Sequence, residues 1–248
     1  MAKLPKLRSP APYIERRIHK AVAEKRQKSR GRVSRRLSMG QIGDCERNLW
    51  AGLNGVPEDK EIPPRVLVLF GHGNVIESHV IALLRDAGYL VEDRESQSGK
   101  QFQCLALDGR LVGYIDGTIM LGDIRRPRKL LLEIKSANEK QFEVARDVGY
   151  EAWNPKYAAQ LQVYMGCSDL AEALAVVYCK NTSDMYAERI KFNSECFSEL
   201  LEKADRVLLS SELLPRPEAA KSQYCGFCKY CSRNAWCWSP LRDANFDD

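Results

Sequence analysis

Apolar and polar positions alternate through the middle of the chain and recur at helical spacing on either side. "YLVEDRE", "QFQCLAL", "LVGYIDGTIML" and "KLLLEIKSA" are apolar or alternating runs that predict strands. They are separated by "SQSGK", "DGR" and the basic loop "GDIRRPR". Before them, "SMGQIGDCERNLWAGLNG" predicts a short helix from Gly43 to about Leu53, closed by Asn54-Gly55. "VPEDKEIPPR" reads as a loop. "GHGNVIESHVIALLRDAG" predicts a helix, with Val75, Ile76, Val80, Leu83 and Leu84 near helical spacing and Gly88 as its stop. After the strands, "NPKYAAQLQVYMG" predicts a helix capped by Asn154 with Pro155 at its first position. "EALAVVYCKN" predicts a strand, and "SECFSELLEKADRVLLSSELL" a long helix capped by Ser194. Helix, strands, helix, strand, helix is the order of an α/β domain with helices packed on a central mixed sheet. No internal repeat interrupts it.

Composition narrows the class. At 248 residues the chain can bury one large core or two small ones, and 44% hydrophobic with 29% charged residues is ordinary for a globular protein. The apolar runs "RVLVLF" and "KLLLEI" are too short to span a bilayer, and the first twenty residues lack the apolar stretch of a secretory signal. The expectation is therefore a cytoplasmic protein with no membrane partner. In a reducing compartment nine cysteines suit a disulfide framework poorly, and clustered ones read as metal ligands.

Charge is unevenly spread. Residues 1–37 hold 13 Lys/Arg against Glu15 and Glu24, so this arm is +11 and the remainder −6 in a chain of net +5. "EKRQKSRGRVSRR", with Arg30, Arg32, Arg35 and Arg36, reads either as a nucleic-acid arm or as a solvated tail. Arg125, Arg126 and Arg128 of the basic loop are further candidates for gripping a phosphate backbone.

The strand-rich centre carries candidate chemistry. Alternate strand residues share a face, so Glu133 and Lys135 project together after three leucines. A carboxylate and an ammonium at the end of an apolar strand are costly to desolvate, and a divalent metal would offset that cost for the carboxylate. Asp116 ends the apolar run "LVGYID", expected on the neighbouring strand of a hairpin. Two carboxylates beside a lysine make a hard-oxygen site suited to Mg²⁺ or Mn²⁺. The alternative is a surface hairpin with an incidental Glu–Lys pair. Glu77 on the preceding helix offers another acid, and Gln160 and Tyr164 lie four apart on one face of the following helix.

The ordered set Gly73…Glu77, Gly113…Asp116, Glu133-x-Lys135 and Gln160…Tyr164 resembles the PD-(D/E)XK nuclease superfamily, and most of all its RecB-type exonuclease branch, over residues 38–240. The resemblance implies a restriction-endonuclease-like core. Asp116 and Glu133 would be metal ligands with the Ile134 carbonyl as a third, Lys135 the catalytic lysine, and Gln160 and Tyr164 residues that organise the site and touch DNA. Glu77 occupies a slot where many members have His; His72 is a weaker candidate for that role.

Four thiols, Cys225, Cys228, Cys231 and Cys237, fall within thirteen residues near the end of the chain. Taken alone they could form a zinc site. Members of the iron–sulfur branch, including CRISPR-associated exonucleases and the nuclease domain of AddB, place one cysteine before the core and three after it, spaced C-x2-C-x5-C. That resemblance implies a 4Fe–4S cluster on Cys45, Cys228, Cys231 and Cys237, with Cys225 as a spare or substitute. Residues 225–237 would be the cluster-binding segment and 241–248 a tail. The implied activity is metal-dependent DNA exonuclease, in recombination, repair or end processing and in a phage-like context. A structure-specific or nicking endonuclease and a non-catalytic DNA-binding subunit are the alternatives. DNA is the expected partner. A recombinase, an annealing protein or a helicase would be a second, since no Walker A loop is present.

Overall fold

The computed structural model describes residues 12–30, 35–122 and 126–239. A five-stranded sheet runs β2-β5-β6-β7-β8, and a smaller sheet runs β1-β4-β3. In the large sheet β6 (Arg128–Ala137) pairs in parallel with β7 (Glu172–Cys179). β5 (Gly117–Leu121) flanks β6 antiparallel, β2 (Val91–Glu92) flanks β5, and β8 (Met185–Lys191) closes the other edge. In the small sheet β4 (Leu111–Tyr114) lies between β1 (Leu37–Ser38) and β3 (Gln103–Ala106). This is the mixed sheet flanked by helices that the order of elements implies.

The run "LVGYIDGTIML" is not one strand. It breaks at Ile115-Asp116 into β4 and β5, which belong to different sheets. Asp116 therefore sits in the crossing between two sheets rather than within a hairpin strand. Two glycines permit the crossing. A Cβ on Gly113 would lie 2.4 Å from Tyr164 Cε1 and 2.8 Å from Met39 Cβ, and one on Gly117 would lie 2.6 Å from the Glu92 carbonyl oxygen.

Alternation along β6 splits the core. Leu130, Leu132 and Ile134 face one cluster with Val80, Ile81, Ile119 and Val176, under α3 (Pro64–Asp86). Leu131 and Ala137 face the larger cluster, with Leu161, Tyr164 and Tyr150 from α6 (Pro155–Cys167) and α5 (Tyr150–Trp153). Glu133 and Lys135 share that second face. Asn154 caps α6 as expected, its side chain accepting from Lys156 N and Tyr157 N.

Several elements differ from the sequence expectation. α2 (Glu46–Leu53) starts at Glu46 with Cys45 as its N-cap, not at Gly43. α3 begins at Pro64, inside the expected loop, because Pro is welcome in a first turn whose N–H has no helical partner. It is also, by length and composition alone, long enough and apolar enough to cross a membrane. Its charged and polar positions hide this from a search for continuous apolar runs; here it lies on β6. α4 (Glu139–Val148) and β8 were not foreseen. α7 (Ser194–Leu209) is capped by Asn193, which accepts from Cys196 N, rather than by Ser194. Within the basic arm, Pro12–Arg30 forms α1, which packs on α3, and Leu37 is buried in β1.

Gly113→Ala should destabilise the fold by about 1–3 kcal/mol, because buried Met39 and Tyr164 cannot both retreat from the new methyl group. Gly73→Ala meets nothing within 4 Å on α3 and should be neutral or stabilising by up to about 1 kcal/mol. Urea denaturation of the two variants checks both signs.

Candidate functional site

β5 stops pairing with β6 at Gly117 and Leu132. The next free donor on that edge, Ile134 N–H, goes to Asp116 Oδ2 at 2.7 Å. Asp116 thus takes the place of the missing strand, and its carboxylate is drawn to the point where Glu133 and Lys135 leave the sheet. Glu133 is 1% exposed, and neither of its oxygens accepts a well-aligned hydrogen bond. Its charge is met by an ion pair with Lys135 Nζ, which is close but not directed enough to satisfy both oxygens. Glu77 approaches from α3, on the opposite face of β6.

The group is electrostatically crowded. Burial lifts the Asp116 carboxyl well above the ordinary carboxylate range, and Glu133 and then Glu77 push it further. Burial and Glu133 likewise raise Glu77. Burial works against the Lys135 ammonium, but Glu133 and Asp116 outweigh it and hold the lysine above its usual value. Three carboxylates thus face the Lys135 ammonium in a poorly solvated place, with Arg94 also acting on Glu77. Donor type and charge both fit a divalent cation at Asp116, Glu133 and Glu77. The residues do not form a closed cage. Among the described residues no three His, Cys, Asp or Glu side chains stand within reach of a single ion.

α6 supplies the floor. Gln160 Nε2 donates to Tyr164 Oη at 3.1 Å, and Tyr164 is pushed up to about 12 by burial and then by Glu133. Both side chains are buried. They therefore brace the site from below. Two residues were missed from sequence. Tyr157 presents its ring 4.9 Å from Lys135 Nζ. Tyr150 is fully buried with no hydrogen-bond partner for its hydroxyl, and burial and then Glu133 raise it well above its ordinary value. Tyr157 was findable: with Gln160 and Tyr164 it continues one helical face by a turn.

Other expected residues stand elsewhere. His72 is exposed on α3, and its spacing of five from Glu77 turns it away from that residue's face. Arg126 and Arg128 are exposed at the far end of β6; Arg128 is five residues, roughly 16 Å, from Glu133. Arg128 lies 3.9 Å from Glu172 there. Arg35 and Arg36 are exposed beside β1, and Arg36 lines a cleft with Arg26 and Arg233. Arg30 ends α1, whereas Arg32 and Arg125 fall outside the described residues.

The thiols form a second centre. Cys45, Cys228, Cys231 and Cys237 line one cavity of about 610 Å³. Cys231 and Cys237 are near enough to Cys45 to add to burial in raising its thiol. Cys225 does not line the cavity; its Sγ donates to the Ala219 carbonyl at 3.8 Å and it also hydrogen-bonds Cys228. All nine cysteines are free thiols, Cys104 and Cys179 buried and Cys167 and Cys196 half-buried. Long-range contacts hold the C-terminal segment against α2. Arg233 Nε donates to the Val56 carbonyl at 2.8 Å and its Nη1 to Asn48 Oδ1 at 3.1 Å. Asp59 accepts from Ala235 N at 2.6 Å and Trp236 N at 3.0 Å. Buried Arg47 reaches the Leu214 carbonyl at 2.9 Å and lies over the Trp236 ring.

No family model matches the chain, and no curated protein does. Solved structures do. The chain is similar to an alkaline exonuclease (LHK-Exo) from Laribacter hongkongensis, with a TM-score of 0.50 and 18% identity over 71% of this chain and 87% of that one. The same exonuclease in complex with dAMP gives a TM-score of 0.48 at 17% identity, with the same coverage of each chain. The structure of SSO0001 gives 0.47 at 15% identity over 90% of this chain and 96% of that one. At such identities the likeness is one of fold: the mixed sheet and its flanking helices are arranged as in the alkaline exonuclease.

Proposed function

We propose that the chain is a metal-dependent DNA exonuclease that hydrolyses phosphodiester bonds at DNA ends and carries a structural iron–sulfur cluster. One observation carries the catalytic part: the sheet opens where β5 ends, and Asp116 fills the gap beside a buried, incompletely bonded Glu133 and its partner Lys135. The likeness of fold to an exonuclease supports it.

Asp116 and Glu133 would hold Mg²⁺ or Mn²⁺, with the Ile134 carbonyl and Glu77 nearby. Bound there, a divalent cation activates water and offsets charge developing on the phosphate. The protein's own groups do the rest. Lys135 brings a fixed positive charge to the mouth of the site, where a phosphate oxygen would gain most from it. Glu133 holds that ammonium in place. Tyr157 covers it on one side, and Tyr164 and Gln160 keep water from beneath the carboxylates.

The cluster part rests on the shared cavity of Cys45, Cys228, Cys231 and Cys237. Four thiols around one cavity match the number of ligands a cubane cluster requires. Zinc on Cys225, Cys228, Cys231 and Cys237 would need Cys225 to turn inward from its place outside the cavity. Cys45 caps α2 and the other three follow the core, so the group would join elements far apart in sequence.

Glu133→Ala and Lys135→Ala should each lower cleavage of end-labelled linear DNA by at least about 10²-fold with Mg²⁺ or Mn²⁺ while leaving DNA binding largely intact. Wild-type rates in both variants would sink the assignment. Cleavage of circular single-stranded DNA, which has no end, would convert the reading to an endonuclease.

Anaerobically purified protein should be brown and hold about four iron atoms per chain. Cys45→Ser, Cys228→Ser, Cys231→Ser and Cys237→Ser should each lose iron and lower the melting temperature, and Cys225→Ser should do neither. Colourless zinc protein that needs Cys225 and spares Cys45 would replace this ligand set with the zinc alternative.

A further inference from the structure

The cysteine segment displays aromatic side chains that the fold does not use. Tyr224 is 79% exposed, Phe227 49% and Tyr230 84%, all within seven residues. A monomer gains nothing by exposing three large rings in so short a stretch. Exposed Lys229 lies over the Tyr230 ring, 5.4 Å from its centroid.

Two of these rings line a cavity that other aromatic side chains connect to the carboxylate site. Tyr157, which faces Lys135 Nζ, packs on Trp153 with ring centroids 5.6 Å apart. Trp153 in turn lines the same cavity as Phe227 and Tyr230. Tyr157 and Trp153 thus lead from the lysine to the cavity at whose rim Phe227 and Tyr230 stand. Cations accompany it: Lys156 and Arg233 line the cavity, Lys156 paired with Asp44 and Arg233 bonded to Asn48.

We infer that Phe227, Tyr230 and Trp153 form a stacking platform for one single strand of DNA, whose end phosphate lies at Lys135. Every nucleobase has a π-face, so aromatic rings interleaved with cations bind a strand without reading its sequence. A duplex hides those faces within its own stack. The platform therefore selects the strand that has separated at the end, and duplex DNA would be gripped elsewhere. This inference rests on the nuclease reading but not on the identity of the metal or cluster.

The test is fluorescence anisotropy in EDTA, which prevents cutting. Three DNAs are used: labelled oligo(dT), an abasic strand of equal length, and a blunt duplex. Phe227→Ala/Tyr230→Ala should weaken oligo(dT) binding by about tenfold or more and leave duplex binding unchanged. Phe227→Tyr/Tyr230→Phe should bind oligo(dT) like wild type, because the rings are retained. Wild type should bind the abasic strand more weakly than oligo(dT), and the alanine pair should bind it no worse than wild type does. Because both side chains are exposed, the melting temperature should hold.

Wild-type affinity for oligo(dT) in the alanine pair overturns the platform. So does an equal loss for the abasic strand, which would mean general damage. A change of oligomeric state with unchanged DNA binding would assign the rings to a second copy of the chain instead. Wild-type protein that binds none of the three DNAs sinks the nuclease reading and the platform together. Protein that binds and cuts DNA, with an alanine pair that matches it, sinks the platform alone.

Discussion

The hydrogen bond from Ile134 N–H to Asp116 is the contact on which the carboxylate side of the molecule depends. An edge donor beside a buried strand end must find an acceptor, because leaving it bare costs about as much as losing a hydrogen bond. β5 cannot supply one, since it begins only at Gly117, opposite Leu132, and the residues before it are still crossing from the small sheet. A carboxylate in that crossing meets the need and is held beside Glu133 as a result. The backbone requirement of the sheet and the placing of an acid are thus one event.

That event has an electrostatic consequence. Glu133 and Glu77 oppose the ionisation of Asp116 and Lys135 favours it, while Glu77 is opposed by Glu133 and favoured by Lys135 and Arg94. A fold that keeps acids so close and so dry gains little stability from them. Holding carboxylates together away from water is a cost that the packing around them must offset. The bracing below agrees: Gln160 and Tyr164 spend their polar groups on each other, so nothing on α6 neutralises the carboxylates.

The second organising constraint is the closure of the chain on itself. α2 and the C-terminal segment are held together by Arg233, Asp59 and Arg47, whose bonds span more than a hundred residues of sequence. Lys203 and Arg206 of α7 add to this by binding the Ile42 carbonyl and Glu46. The thiols of Cys45, Cys228, Cys231 and Cys237 line one cavity at that junction. Trp153 lies between the junction and the carboxylates, so α5 and the start of α6 connect the two centres.

Local rules made a good part of this legible in advance. Period-two alternation put Glu133 and Lys135 on one face, because that period is built into any strand. Asn154-Pro155 marked the start of α6, because both act within a single turn. Cysteine spacing marked the C-terminal segment. Other features are properties of the fold alone. "LVGYIDGTIML" has one alternating pattern, and only its partners, β3 on one side and β6 on the other, divide it into two strands. Burial of Gln160 and Tyr164, and the approach of Tyr150 and Tyr157 to Glu133 and Lys135, follow from how α5 and α6 settle on β6. β8 was missed because its exposed face is charged and its pairing with β7 is what stabilises it. The sequence determined which side chains share a face, since that depends on neighbours a few residues away. Which faces meet is set by long-range packing, and only the tertiary structure decided it.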